Sequence, residues 1–181
     1  MSDAELREKY AHRFRVHDAD GDGFIDERDA MRRAERLLRA VGEPVTSERG
    51  RAVLAGARTF WQGVTKFAQV GPEQRLDEAA FVDALERARQ AGLIGELVGP
   101  SVEAHVLLVD RDGDGVVSVA EFVDSQCACG QDPAAARAAF EALDRDGDGA
   151  VTVEEWQQAV MEYYTSTDPA APGNLVLGLR S

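Results

Sequence analysis

Apolar residues return every three or four positions along most of this chain, the spacing that lines one face of an α-helix. Leu6, Tyr10 and Phe14 form a first stripe, and Leu37 and Leu38 belong to a second. Phe60, Trp61, Val64 and Ala68 follow, then Ala84, Leu85 and Ala88. The second half carries Val102, Val106 and Val109, then Phe122 and Val123, then Ala136, Ala139, Phe140 and Leu143. Trp156, Ala159, Val160 and Tyr163 close the series. Start signals accompany several stripes. Ser2 with Glu5 reads as a capping box, Thr46 or Ser47 as a cap after a turn at 41–47, and Asp132-Pro133 as an N-cap with a first-turn proline. Pro100-Ser101 reads as another helix start, and Gly92, Gly95 and Gly99-Pro100 as a boundary between halves. No apolar run approaches the roughly 18 residues of a membrane-spanning helix. The pattern predicts an all-α protein.

Between the stripes one polar segment occurs three times: Asp18-Ala-Asp-Gly-Asp-Gly23, Asp110-Arg-Asp-Gly-Asp-Gly115 and Asp144-Arg-Asp-Gly-Asp-Gly149. Two residues after each comes an aliphatic residue, Ile25, Val117 or Val151. Eleven residues after each first Asp stands an acid, Asp29, Glu121 or Glu155. Alternate oxygens at this spacing wrap one centre, and glycine at position six permits the sharp bend. A hard cation that takes six to eight oxygens suits such a set, and the whole is the twelve-residue EF-hand calcium loop between two helices. The expected ligands of the first loop are Asp18, Asp20, Asp22, the carbonyl of Phe24, Asp26 at the often water-bridged ninth position, and Asp29. Those of the third are Asp110, Asp112, Asp114, the Val116 carbonyl, Ser118 near a water, and Glu121. Those of the fourth are Asp144, Asp146, Asp148, the Ala150 carbonyl, Thr152 near a water, and Glu155.

EF-hands come in pairs, so the first loop needs a partner. Residues 69–80 align on Leu76, Asp77 and the following Phe81, but lack acids at positions one, three and twelve and carry Gln74 in place of the turn glycine. They read as a hand that has lost its ion. Four hands in two paired lobes follow, at 1–92 and 93–164, forming one compact helical protein. Short strand pairs are expected to join Ile25 to Leu76 and Val117 to Val151. A tail at 165–181, ending in an apolar run from Leu175 to Leu179, is expected to pack on the core.

The formal net charge of −13 now has a local cause, because twelve carboxylates stand at positions one, three, five and twelve of the three loops. Three Ca2+ ions would bring that charge to −7. Loop one closes with Asp29, one methylene shorter than Glu, which favours six-fold closure and makes Mg2+ a candidate there. Nucleic acid is excluded as a partner, since phosphate binding needs clustered Lys and Arg, and membrane insertion is not expected. Two cysteines, Cys127 and Cys129, cannot make a disulfide framework, and residues 1–9 lack the apolar core of a secretory signal. A cytoplasmic monomer is expected. His12, His17 and His105 form no ligand or catalytic constellation, and no enzyme is expected.

Four hands with an ion-free second one, and the proline-containing tail Asp168-Pro-Ala-Ala-Pro-Gly-Asn174, resemble the sarcoplasmic calcium-binding proteins and their bacterial counterpart calerythrin. The resemblance implies calcium in hands one, three and four, and a buffering or transport role. The opposing expectation is a sensor that opens an apolar groove to a protein target. Sensors of that kind use Met-rich surfaces, and this chain has only Met1, Met31 and Met161.

Overall fold

The computed structural model describes residues 3–18 and 20–177. The expected capping box at Ser2 and the end of the apolar run at Gly178 and Leu179 lie outside these residues. In chain order the elements are α1 (Asp3–His17), β1 (Phe24–Ile25), α2 (Glu27–Val41), α3 (Glu48–Ala68), β2 (Leu76–Asp77) and α4 (Glu78–Gln90). Then come α5 (Ile94–Val109), β3 (Val117–Ser118), α6 (Val119–Ala128), α7 (Pro133–Leu143), β4 (Ala150–Val151), α8 (Val153–Thr165) and a short α9 (Gly173–Val176). The fold is all-α with two minimal antiparallel ribbons. β1 pairs with β2, setting Ile25 opposite Leu76, and β3 pairs with β4, setting Val117 opposite Val151. All four of these aliphatic side chains are buried.

Local chemistry fixes the helix ends. Ser47 caps α3 by accepting the Gly50 N–H, and Asp132 caps α7 ahead of Pro133. Asp26, Ser118 and Thr152 form capping boxes with the third residue of α2, α6 and α8. Each of these caps satisfies backbone donors that a helix start leaves unpaired.

One expectation fails at α5. Pro100-Ser101 does not open that helix. It begins at Ile94 and carries Pro100 inside, so Gly95 and Gly99 are helical and the break between α4 and α5 shrinks to the turn at Gly92. Two observations account for this. Ser101 Oγ donates to the Val98 carbonyl at 2.8 Å, supplying a local hydrogen bond beside the proline. Ile94, Leu97 and Val98 are buried, so the first turns are held by packing where propensity would end them. At the crossing with α3, a Cβ on Gly56 would lie 3.0 Å from the Pro100 carbonyl oxygen, so glycine permits backbone-close contact.

A continuous core runs through elements from both halves, including Phe14, Trp61, Phe81, Val106, Phe122 and Trp156. The first and last hands are tied directly. Tyr10 donates to the Tyr164 carbonyl at 2.5 Å, Lys9 Nζ to the Ser166 carbonyl at 2.8 Å, and Tyr163 to the Lys9 carbonyl at 2.9 Å. Beyond α8, Ala171, Gly173 and Asn174 are buried, and a Cβ on Gly173 would meet the Ala159 carbonyl oxygen at 2.0 Å. Val176 and Leu177 pack on the core, whereas Leu175 faces solvent. Among the described residues, no single helix is long and apolar enough to cross a membrane.

Candidate metal centres

The three repeated segments become three clusters of carboxylates. Oxygens of Asp18, Asp20 and Asp22 lie within 4.8 Å of one another, as do those of Asp110, Asp112 and Glu121, and of Asp144, Asp146 and Glu155. The first Asp of each loop shapes it by accepting backbone N–H groups. Asp18 accepts from Gly21, Asp22 and Gly23, Asp110 from Gly113 and Gly115, and Asp144 from Gly147, Asp148 and Gly149. The turn glycines Gly23, Gly115 and Gly149 have φ of 82°, 91° and 88°, a left-handed conformation that a side chain would oppose.

The remaining expected ligands sit around these clusters. Asp114 Oδ1 accepts the Val116 N–H at 3.0 Å and Asp148 Oδ1 the Ala150 N–H at 2.9 Å, so both turn back on their own loops. Asp26, Ser118 and Thr152 are the helix caps already described. Phe24 and Ala150 lie in β1 and β4, and Val116 directly precedes β3.

The closing residues differ. Glu121 Oε2 accepts from the Ser118 N–H and hydroxyl at 2.9 and 2.7 Å, and its Oε1 accepts the Arg111 N–H at 2.8 Å. Glu155 repeats this with Thr152 and Arg145. Burial opposes charge on both, but the donors at Ser118 and Thr152 outweigh it and hold both pKa values below the usual range. Asp29 is shorter and does not reach the Asp18–Asp20–Asp22 cluster. Its Oδ2 accepts the Asp26 N–H at 3.0 Å, while its Oδ1 is buried without a hydrogen-bond partner, 3.6 Å from Arg32 Nη1. Burial pushes its pKa up.

Sequence reasoning missed two arginines at the first loop. Arg32 pairs with Asp20 at 3.1 Å, and Arg75, from the ion-free loop, pairs with Asp22. Arg75 directly precedes Leu76 of the bridge, so the strand register was the signal that could have found it. In the third and fourth loops Arg111 and Arg145 pair instead with Asp124 and Glu162 of the exiting helices. The ion-free segment 69–80 is held by other means, with Trp61 Nε1 donating to the Pro72 carbonyl and Gln74 folding back on Gly71.

Carboxylates this close repel one another, and a hard divalent cation relieves the repulsion. The unpartnered buried oxygen of Asp29 fits the same chemistry. Two of the histidines pack on aromatic rings, His17 stacked 5.3 Å from Phe60 and His105 set 5.2 Å from Trp156, measured between ring centres. Cys127 lies on α6 and Cys129 is its C-cap, and both are free thiols.

Comparison with known proteins agrees with this geometry. The EF hand family model matches residues 11–29, 108–124 and 136–161, the stretches that contain the three acidic loops. A solved calcium-binding protein of Streptomyces coelicolor, described in prokaryotic calcium-mediated regulation, is 36% identical. The match covers 88% of this chain and 98% of that one, with a TM-score of 0.74. Calerythrin of Saccharopolyspora erythraea is 24% identical over 167 residues, covering 91% of this chain and 94% of its own. The photoprotein mitrocomin of the jellyfish Mitrocoma cellularia shares the fold at a TM-score of 0.76 and 20% identity, over 96% of this chain and 91% of its own. Helix, loop and helix, repeated around acid clusters, define a calcium-binding class. The chain belongs to the EF-hand family, as a calerythrin-like calcium-binding protein.

Proposed function

We propose that this protein is a calcium buffer or carrier that takes up three Ca2+ ions per chain and stays closed. The observation that carries the number is the convergence of carboxylates in three loops, whereas segment 69–80 lacks acids at positions one, three and twelve. The ligands would be the residues expected from the loop spacing, Asp18 to Asp29, Asp110 to Glu121 and Asp144 to Glu155, with Mg2+ able to replace Ca2+ in the first. The direct hydrogen bonds between α1 and the end of α8 support closure, since they join the ends of the two pairs, 1–92 and 93–164. The tail at 165–181 would hold this joint in place. Native mass spectrometry tests the count. Three calcium ions are expected, and two or four would overturn the ligand set.

The second reading is a sensor with a protein target, and the regulatory context given for the Streptomyces coelicolor relative favours it. Small-angle scattering separates the two. A buffer keeps its radius of gyration between magnesium and calcium, whereas a sensor changes it.

A further inference from the structure

A cavity of about 680 Å3 is lined from α1, α2, α3, α5, α6 and α8 and by Val176 and Leu177, and none of the loop carboxylates lines it. Its volume is in the range of small-molecule sites. Its walls are largely apolar, with Val53, Phe60, Val102, Trp156 and Val160 among them. Its mouth runs past exposed Arg36 on α2 and exposed Gly130 after α6.

The charge inside runs against that of the molecule. The chain carries −13 overall, yet among the described residues no Asp or Glu lines this cavity, whereas Arg13, Arg33 and Arg36 all do. Arg13 and His17 are 6% exposed, and Arg13 Nε and His17 Nε2 are buried without a hydrogen-bond partner. Unpaired buried polar atoms of this kind carry a desolvation cost that a ligand can remove. Burial, with Arg13 and Arg36 beside it, lowers Arg33 to about 10, so it stays charged at neutral pH. Three like charges thus face one largely apolar chamber, with no carboxylate side chain among its described walls.

We propose that this cavity binds a small organic anion with an apolar body, its acidic head held by Arg13, Arg33 and Arg36 and its body lying against Phe60, Val102 and Trp156. The arginines give selectivity for the charge, because guanidinium groups suit oxyanions. The apolar walls give most of the area buried.

Decanesulfonate is a suitable probe, being permanently charged, and 1-decanol is its neutral control. Calorimetric titration of the calcium-loaded chain should give one decanesulfonate per chain, bound at least about tenfold more tightly than 1-decanol, as expected for a charge-assisted hydrogen bond. Arg33→Gln should cut decanesulfonate affinity about tenfold and leave 1-decanol unchanged. Arg36→Gln, on the exposed rim, should act the same way more weakly, and it serves if Arg33→Gln fails to fold. Equal affinity for the two probes would overturn the proposal, as would binding indifferent to both substitutions. Binding that appears only after residues 178–181 are removed would also overturn it, in favour of the chain's own terminus as occupant.

Discussion

Arg75 reaches from the ion-free loop across the β1–β2 ribbon to pair with Asp22, and its guanidinium carbon lies 4.5 Å from the centre of the Phe24 ring. The second hand therefore places a cation beside the first loop as well as packing against it. On the proposed ligand set, an incoming divalent ion would have to displace that cation from Asp22. The pair is about half exposed, so its worth is roughly 0.2–1 kcal/mol. Replacing Arg75 by Ala should raise calcium affinity at the first loop by roughly two- to fivefold, a range set by that energy. The third and fourth loops should not respond. Titration followed by NMR at the glycines of each loop would read the three sites separately, and an unchanged or weaker first site would contradict the idea.

The ribbon itself should matter to ion binding. Leu76 is 2% exposed and stands opposite Ile25, at the centre of the first pair of hands. Leu76→Asp buries an unpaired charge there, touching no ligand. Calcium affinity should fall at the first loop and hold at the fourth. Equal affinity in wild type and variant would mean that the two hands of this pair are not coupled.

The crossing of α3 and α5 offers a test of packing. A side chain at Gly56 would press on the Pro100 carbonyl and the Ser101 Cα, both 3.0 Å from the ideal Cβ position. Both neighbours are backbone and cannot rotate away. Gly56→Val should cost about 1–3 kcal/mol, the usual penalty of overpacking. Urea denaturation in saturating calcium would measure it. A neutral result would show that the helices can part without loss.

Much of this was legible because EF-hand chemistry fixes residues at fixed spacing. The oxygens must reach one centre, so Asp18, Asp20 and Asp22 declare themselves, and the position-eight aliphatics Ile25, Leu76, Val117 and Val151 give the ribbon register. The start of α5 was not legible, since Pro100-Ser101 is a good local start signal and only tertiary burial of Ile94 and Leu97 overrides it. The second buried face of α1 was hidden for a related reason. Lys9, Arg13 and His17 recur every four residues as a stripe, but charged stripes normally face water. The cavity draws on helices distant in sequence, from α1 to α9, and no local pattern encodes it.

Acid stability should carry a histidine signature. Burial, and next Arg33, lower the pKa of His105 to about 4. The unfolded imidazole titrates near 6.5. Between these values the unfolded chain binds a proton that the folded chain refuses, so folding loses free energy as pH falls. The contribution is fully present above about 6.5 and is gone below about 4. His105→Gln removes this slope while leaving the carboxylates in place. Chemical denaturation of both proteins from pH 7 to pH 4 should give curves that converge as pH falls, and parallel curves would rule out a depressed His105.

The first loop should also be the least selective for calcium. Asp29 has turned inward: one oxygen caps the Asp26 N–H, and the other is buried, facing Arg32 at 3.6 Å. Glu121 and Glu155 instead sit within their clusters. To close on an ion, Asp29 must either offer one oxygen or draw α2 inward by the length of a methylene. One-oxygen closure gives six ligands, close to the octahedron that Mg2+ demands, whereas a bidentate Glu gives the seven that Ca2+ accepts. Asp26 adds a carboxylate at position nine, which strengthens attraction for either ion without choosing between them. Asp29→Glu should therefore raise the preference for calcium at this loop alone. Competition titrations with Mg2+ would decide it, and identical magnesium sensitivity before and after the substitution would remove side-chain length as the cause.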